Sequence, residues 1–122
     1  MTQPAAGKRE EAESPRSAAQ AADAECVAAV KAGQRDRFGE LVARHQNAVY
    51  AITLAYTRDA HRAEDLAQEV FLKAYAALAQ LRAPAHFGAW LMQIARHHAA
   101  RSRQQEALRP KPVPDASLAQ VG

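Results

Sequence analysis

The polar residues between Arg82 and Lys111 are suited to binding an anion rather than to catalysis. This segment contains six cations and one carboxylate, Glu106, so its net charge is +5 in a chain of formal net charge +3, leaving −2 elsewhere. Arginine, glutamine and histidine side chains donate hydrogen bonds to phosphates and base edges. The pattern predicts a nucleic-acid surface, or alternatively a solvated helix end with its cations near the negative end of the helix dipole. On the polar side of the predicted helix the donors are Gln93, Arg96, His97, Arg103 and Gln104.

Two aromatic residues, Phe87 and Trp90, lie at the start of the same predicted helix. Aromatic planes stack on unpaired bases, which favours single-stranded nucleic acid as the ligand. Phe87 lies on the apolar stripe and is predicted to be core, whereas Trp90 lies at the border of the stripe and could serve both roles. The short loop before the helix places Arg82 and His86 beside the same face, where they could help to form a pocket.

The preceding predicted helix has a polar face with a leucine in its middle. At 100° per residue, four residues of this helix fall within about a third of a turn of each other: Asp65, Gln68, Glu69 and Leu72. If Val70, Ala74 and Leu78 face the core, Leu72 faces water. One interpretation is an ordinary solvated face, because single exposed leucines are common. The other is a docking face whose carboxylates and amide pair with arginines of a partner helix. The face consists of Asp65, Gln68, Glu69 and Leu72.

No arrangement in the sequence favours an enzyme, a cofactor or a metal site. A glycine-rich phosphate loop, a nucleophilic triad and a metal-ligand cluster are all missing from the sequence. His45 on an apolar stripe is predicted to be a core histidine with a hydrogen-bond partner, and Cys26 a small core residue rather than a nucleophile. His97 and His98 are adjacent, so on a helix they point in different directions and make a poor metal pair.

Helices must position these residues, because glycine is scarce and apolar residues recur at helical spacing. The pattern predicts an all-α bundle of three main amphipathic helices plus a short N-terminal one. The short helix, "DAECVAAVKAG", has Asp23 as its expected N-cap and Gly33 as its stop. The main helices are expected from about Asp36 onward, over about 60–81 and over about 86–106.

The two ends of the chain are not expected to join this bundle. Residues 1–22 contain no bulky apolar residue after Met1, so they are predicted to be disordered. Residues 108–122 are rich in proline and predict an extended linker. The foldable part is therefore about 23–107. A single cysteine, no apolar N-terminal run and no membrane-spanning stretch favour a soluble cytoplasmic protein.

Two stretches together, "AEDLAQEVFLKAY" and "HFGAWLMQIARHH", resemble the polymerase-binding, promoter-melting domain of bacterial sigma factors, region 2. The similarity is greatest to the extracytoplasmic function group and covers about residues 23–107. It implies that the third helix docks on the coiled coil of the largest RNA polymerase subunit. Asp65, Gln68 and Glu69 would pair with basic residues of that coiled coil. Leu72 would pack on its apolar stem.

The resemblance also assigns the fourth helix and the loop before it to the −10 promoter element. They would hold the non-template strand during melting and accept an extruded base, whose unstacking costs a few kcal/mol. The loop "LRAPAHF" would shape the pocket for that base. The implied DNA-binding residues are Arg82, His86, Trp90, Gln93, Arg96, His97, Arg101 and Arg103.

The sequence departs from the family in two respects. His97 stands where many members have asparagine, which changes the hydrogen-bond pattern offered to a base. The helix-turn-helix domain that reads the −35 element does not follow, so the chain is expected to be a fragment of a longer protein. An alternative function is a helical interaction module whose main ligand is a regulatory protein such as an anti-sigma factor. A double-stranded DNA repressor ranks last, because the sequence contains no second recognition helix.

Overall fold

Local sequence signals at the helix ends account for most of the chain's secondary structure. The computed structural model describes residues 14–108. The four helices are α1, Pro15–Lys31; α2, Phe38–Thr57; α3, Ala60–Ala77; and α4, Phe87–Leu108. Single 3₁₀ turns occupy Arg35–Arg37, Leu78–Gln80 and Pro84–His86. The part described contains no strand, which confirms the predicted all-α class.

Three of the helix boundaries have a clear local cause. Gly33 has φ +111°, a conformation that side chains disfavour, and it ends α1. Arg58 takes a left-handed conformation, φ 57°, and ends α2. Asp59 then caps α3, its carboxylate accepting hydrogen bonds from the backbone N–H groups of His61 at 3.0 Å and Arg62 at 3.2 Å.

The core lies where α2, α3 and α4 meet, with α1 across one end. Burying a leucine, valine or phenylalanine side chain contributes ~1.5–3 kcal/mol to the free energy of unfolding. The buried side chains of this core are therefore the main source of stability. The residues expected to face the core, Val70, Ala74 and Leu78, are all buried, and so are Leu66, Phe71 and Leu81. The largest fully buried side chains of the described chain are Phe87, Leu41, Leu91, Val27, Val49, Val70 and Thr53.

Small residues bring the helices close together. Ala63, Ala74, Ala95 and Ala99 are all fully buried on α3 and α4. Thr53 of α2 is also fully buried, and its hydroxyl donates to the Ala63 carbonyl of α3 at 2.8 Å. A buried hydroxyl without a partner would be costly, so this bond fixes the alignment of α2 against α3.

The extent of α1 corrects the sequence analysis. The helix begins at Pro15, and the residues from Pro15 to Ala22 are helical rather than disordered. Ser14 is the N-cap, its hydroxyl accepting from Ser17 N at 3.1 Å, and Pro15 occupies the first turn, where its missing N–H costs nothing. The helix has 17 residues, so it is not short. The expected disorder of residues 1–13 and the expected linker over 109–122 lie outside the described residues.

Asp23 is not the N-cap of α1 but a buried residue in its middle. Its carboxylate lies 2.8 Å from Arg44 Nε and 2.8 Å from His45 Nε2, both on α2. Arg44 also donates to the Ala19 carbonyl at 3.0 Å. The buried carboxylate is therefore paired, as its burial requires, and it fixes the N-terminal half of α1 to α2. His45 is a partnered core histidine, as predicted.

Within residues 14–108, no helix combines the length and the apolar character that crossing a membrane requires.

Candidate functional site

The residues predicted for docking, Asp65, Gln68, Glu69 and Leu72, form one exposed surface on α3, called the acidic face below. Leu72 has 68% of its surface exposed, while Val70 and Ala74 on the opposite side are fully buried. The register of α3 thus turns Leu72 to solvent, as the helical spacing predicts. Its neighbours on this face are all exposed and polar. The surface offers an apolar side chain surrounded by hydrogen-bond acceptors.

Three side-chain contacts tie α3 to α4, and one of them comes from the acidic face. Glu69 Oε1 lies 2.7 Å from His98 Nε2. Arg62 reaches across to α4, donating to the Ser102 hydroxyl at 3.0 Å and lying 3.4 Å from a Glu106 oxygen. These contacts fix the separation of the two helices. Glu69 is thus the residue of the acidic face that contacts α4.

A groove of about 710 Å³ lies beside this contact, between α3 and α4. It is called the basic groove below. Four of the predicted DNA-binding residues line it: Trp90, Gln93, His97 and Arg101. Among residues 14–108, those that line the groove include two cations, Lys73 and Arg101, and no carboxylate, so this lining suits a phosphate backbone. The remaining lining residues are Lys73, Ile94, His98, Ser102 and Gln105.

Trp90 is half-buried at the wall of this groove. Its ring packs on Phe87, with centroids 5.9 Å apart and planes tilted by 49°. Phe87 is fully buried, as predicted, so it supports Trp90 from within the core. A tryptophan held on one side and accessible on the other can stack on an unpaired base.

A second cavity, of about 490 Å³, adjoins the first and is called the loop pocket below. Trp90 and Gln93 line both cavities, so the two form a continuous surface along α4. His86 lines the loop pocket, as the sequence analysis anticipated. Lys31 donates to the Leu81 carbonyl at 2.7 Å, which anchors the loop that forms this cavity. The remaining lining residues are Arg16, Gln20, Leu81, Ala83 and Ala89.

The other predicted DNA-binding arginines lie outside these cavities. Arg96 and Arg103 are exposed on the neighbouring stripe of α4, about 100° or more around the helix from the Trp90 stripe. Arg82 is exposed in the loop before α4. None of the three lines any of the four main cavities formed by the described part of the chain. The structure therefore separates these exposed cations from the groove residues.

Cys26 is buried and does not have the properties of a reactive thiol. Its Sγ donates to a Glu40 carboxylate oxygen at 3.3 Å, and Arg37 Nη2 lies 3.6 Å from it. Burial first, and then the hydrogen bond to Glu40, raise the pKa of Cys26. A protonated, inaccessible thiol is a poor nucleophile, in agreement with the predicted core role. Residues 14–108 also contain no group of three histidine, cysteine or acidic side chains placed to hold a metal ion.

Several residues of the site were not selected from the sequence. Lys73 follows Leu72 on α3 and lines the basic groove, which becomes apparent only once α3 and α4 are packed together. His98 pairs with Glu69 across 29 positions of sequence. Arg16 and Gln20 lie in a segment expected to be disordered. The serine–proline pair at Ser14 and Pro15 is a helix-start signal that could have identified them.

Comparison with known proteins gives a consistent family assignment. The family model described as Sigma-70 region 2 matches residues 41–109, which is more than half of the chain. A probable RNA polymerase sigma factor RfaY from Xanthomonas campestris pv. campestris is 46% identical over 88 residues. That match covers 72% of this chain and 22% of the relative.

Two further relatives carry similar names. The RNA polymerase sigma-H factor of Pseudomonas aeruginosa is 36% identical over 87 residues, covering 67% of this chain and 45% of the relative. The ECF RNA polymerase sigma factor SigW of Bacillus subtilis is 33% identical over 66 residues, covering 54% of this chain and 35% of the relative. The chain thus spans less than half the length of each of these relatives. It belongs to the sigma-70 region 2 family, and within that family it is of the extracytoplasmic function type.

Proposed function

We propose that this chain is the part of a sigma factor that docks on RNA polymerase and recognises and melts the −10 promoter element. The observation that carries the proposal is the basic groove, where the half-buried Trp90 lies beside Gln93, His97 and Arg101. It combines a stacking surface with phosphate-binding donors, which is the chemistry of single-stranded nucleic-acid recognition. RNA polymerase acts in the cytoplasm, so the role includes a cytoplasmic location.

The acidic face supports the polymerase half of the proposal. Leu72 would insert into an apolar site on the coiled coil of the largest polymerase subunit, and Asp65, Gln68 and Glu69 would pair with its basic residues. A leucine that is 68% exposed loses most of its contact with water on docking, which favours binding. A few such well-placed residues dominate the energy of most interfaces.

The basic groove and the loop pocket support the DNA-binding part of the proposal. The non-template strand would run along α4, with bases stacking at Trp90 and phosphates contacted by Arg101 and Lys73. An extruded base would enter the loop pocket beside His86. His97, in the place of the common asparagine, would set the base preference at its position. The exposed Arg82, Arg96 and Arg103 would contribute phosphate contacts outside the groove.

A regulatory protein such as an anti-sigma factor is a second proposed partner. The observation that favours it is a cavity of about 580 Å³ between α2 and α3, which continues from the acidic face because Gln68 lines it. Val42, Tyr50 and Phe71 give this cavity apolar walls. A protein bound to this cavity and to Leu72 would exclude polymerase from the same surface.

The test measures two bindings separately by fluorescence anisotropy with the 122-residue chain. One probe is the isolated polymerase coiled coil, and the other is a single-stranded oligonucleotide library with randomised −10 positions. Asp65→Ala is expected to weaken only the coiled-coil interaction, and Arg101→Ala only the DNA interaction. Leu108→Ala is the control, because Leu108 is exposed on α4 outside the described cavities. A folded chain that binds neither probe would refute the proposal.

A further inference from the structure

The first turns of α1 form one wall of the loop pocket. Arg16 and Gln20 line it opposite His86, Trp90 and Gln93. They are four residues apart, so they lie on the same face of the helix. Neither residue belongs to the predicted DNA-binding set. The loop pocket is thus formed by three parts of the chain rather than by the loop and α4 alone.

The chemistry of this wall suits a nucleic-acid strand. Arg16 is exposed, and it forms no ion pair with any residue of the described range 14–108. Among the described residues 14–108, those that line the loop pocket include no carboxylate, and Arg16 supplies a positive charge to this lining. Gln20 is half-buried and carries both a donor and an acceptor. An anionic ligand with base edges complements this pair better than an apolar or cationic one.

The position of this wall is fixed by contacts on both sides. Asp23 is 3% exposed and joins α1 to Arg44 and His45 of α2, one turn beyond Gln20. Arg44 also donates to the Ala19 carbonyl, next to Gln20. At the other end of α1, Lys31 donates to the Leu81 carbonyl of the loop. Helix and loop therefore form a preorganised cleft, which lowers the entropic cost of binding.

We propose that Arg16 and Gln20 contact single-stranded promoter DNA at the loop pocket. Arg16 binds a phosphate beside the extruded base, and Gln20 hydrogen-bonds that base or its sugar. This inference rests on the proposed function and extends it, because it makes the N-terminal half of α1 part of the DNA-binding surface. Together with α4, it extends the contact with the strand beyond the basic groove.

The test compares Arg16→Ala with Arg35→Ala in the 122-residue chain. Both substitutions remove one exposed arginine, but Arg35 lies beyond the opposite end of α1 and lines none of the four main cavities of the described range. The probe is a fluorescein-labelled 12-nucleotide single strand of the sequence that the wild-type chain selects most strongly from the randomised library. Binding is measured over a series of salt concentrations, and circular dichroism checks the fold of each variant.

Arg16→Ala is expected to weaken binding about fivefold, because it removes a charge-assisted contact. It should also lower the salt slope by about 0.7, the value for one phosphate contact on a single strand. Arg16→Lys should restore the salt slope, since it restores the charge. Gln20→Ala should weaken binding without changing the salt slope, since it removes no charge.

The outcomes separate this inference from the function on which it rests. If Arg16→Ala and Arg35→Ala have equal effects while Arg101→Ala abolishes binding, the DNA function stands and the role of α1 is wrong. If the wild-type chain selects no sequence and Arg101→Ala changes nothing, the proposed function itself is wrong. If the salt slope falls for Arg16→Ala and Arg101→Ala but not for Arg35→Ala, the result supports both the DNA function and the role of α1.

Discussion

The acidic face and the basic groove lie on adjacent helices and are built in opposite ways. Leu72 projects from α3 with 68% of its surface exposed, whereas Trp90 is half-buried in a concave surface with Phe87 behind it. A projecting apolar side chain suits a partner that supplies the pocket and the cations. A concave basic surface suits a flexible strand that adapts to it. The difference shows how one small domain can present separate sites to two kinds of partner.

The largest effect is expected from a substitution that removes the core support shared by the acidic face and the basic groove. Phe87→Ala empties the centre of the core, where Phe87 packs on Phe38, His45 and Trp90. We expect a loss of about 3–5 kcal/mol in the free energy of unfolding, with both bindings lost in parallel. Urea unfolding and the two titrations measure this. Loss of DNA binding alone would show that the surfaces do not depend on a common core.

A smaller effect is expected from a substitution at Asp23, which joins α1 to α2 and so supports the loop pocket but not the acidic face. Asp23→Asn removes the charge that pairs with Arg44 and His45, and it should cost about 1–3 kcal/mol. DNA binding at the loop pocket should weaken more than coiled-coil binding, because α1 borders only the former. Asp36→Asn is the matched control, since Asp36 is exposed. Equal weakening of both bindings by Asp23→Asn would contradict this division.

Leu72→Ala tests the acidic face without disturbing the core. Stability should change by less than about 0.5 kcal/mol, because the side chain is exposed. Coiled-coil affinity should fall about tenfold, as for an interface residue worth about 1.4 kcal/mol. Leu108→Ala, at a leucine 78% exposed, should leave that affinity unchanged. Equal effects of the two substitutions would show that Leu72 has no special role in docking.

The smallest expected effect is on the pH dependence of stability, and it involves Glu40, which belongs to neither surface. The hydrogen bond from the Cys26 thiol, and then that from Arg37, lower the pKa of Glu40 in the folded chain. Ionised Glu40 therefore stabilises the fold above the unfolded-state pKa of about 4.3, and this contribution is lost as the pH falls through the lower folded-state pKa.

Thermal unfolding of Glu40→Gln and wild type across pH tests this linkage. The variant should be less stable at neutral pH, and the difference should close on acidification. Glu25→Gln, at an exposed glutamate, is the control and should not show this pattern. A difference that persists at low pH would mean that the charge of Glu40 is not its cause.

The sequence was most informative where apolar spacing alone determines the outcome. The buried face of α3 and the exposure of Leu72 both follow from a period of 3.6 residues, and both are confirmed. The core position of Phe87 was predicted for the same reason, and it too is confirmed. Helical periodicity therefore placed Leu72 on the exposed side of α3 before any contact between helices was known.

Features that depend on contacts between distant residues were not predicted. The N-terminal half of α1 contains alanines and polar residues, so its pattern resembles that of a disordered segment. Its position depends on the bonds of Asp23 and Arg44, which are 21 residues apart. The Glu69–His98 pair and the placement of Lys73 in the basic groove likewise require the packing of α3 on α4. A single sequence does not reveal such pairs.

The central claim is that the two surfaces serve two partners at once, and a competition titration tests it most directly. Labelled single-stranded −10 DNA is bound to the 122-residue chain, and the unlabelled polymerase coiled coil is then added to saturation. The account predicts that the DNA stays bound and that its anisotropy rises as a larger ternary complex forms. Release of the DNA in step with coiled-coil binding would contradict the account, because it would show that both partners occupy the same surface.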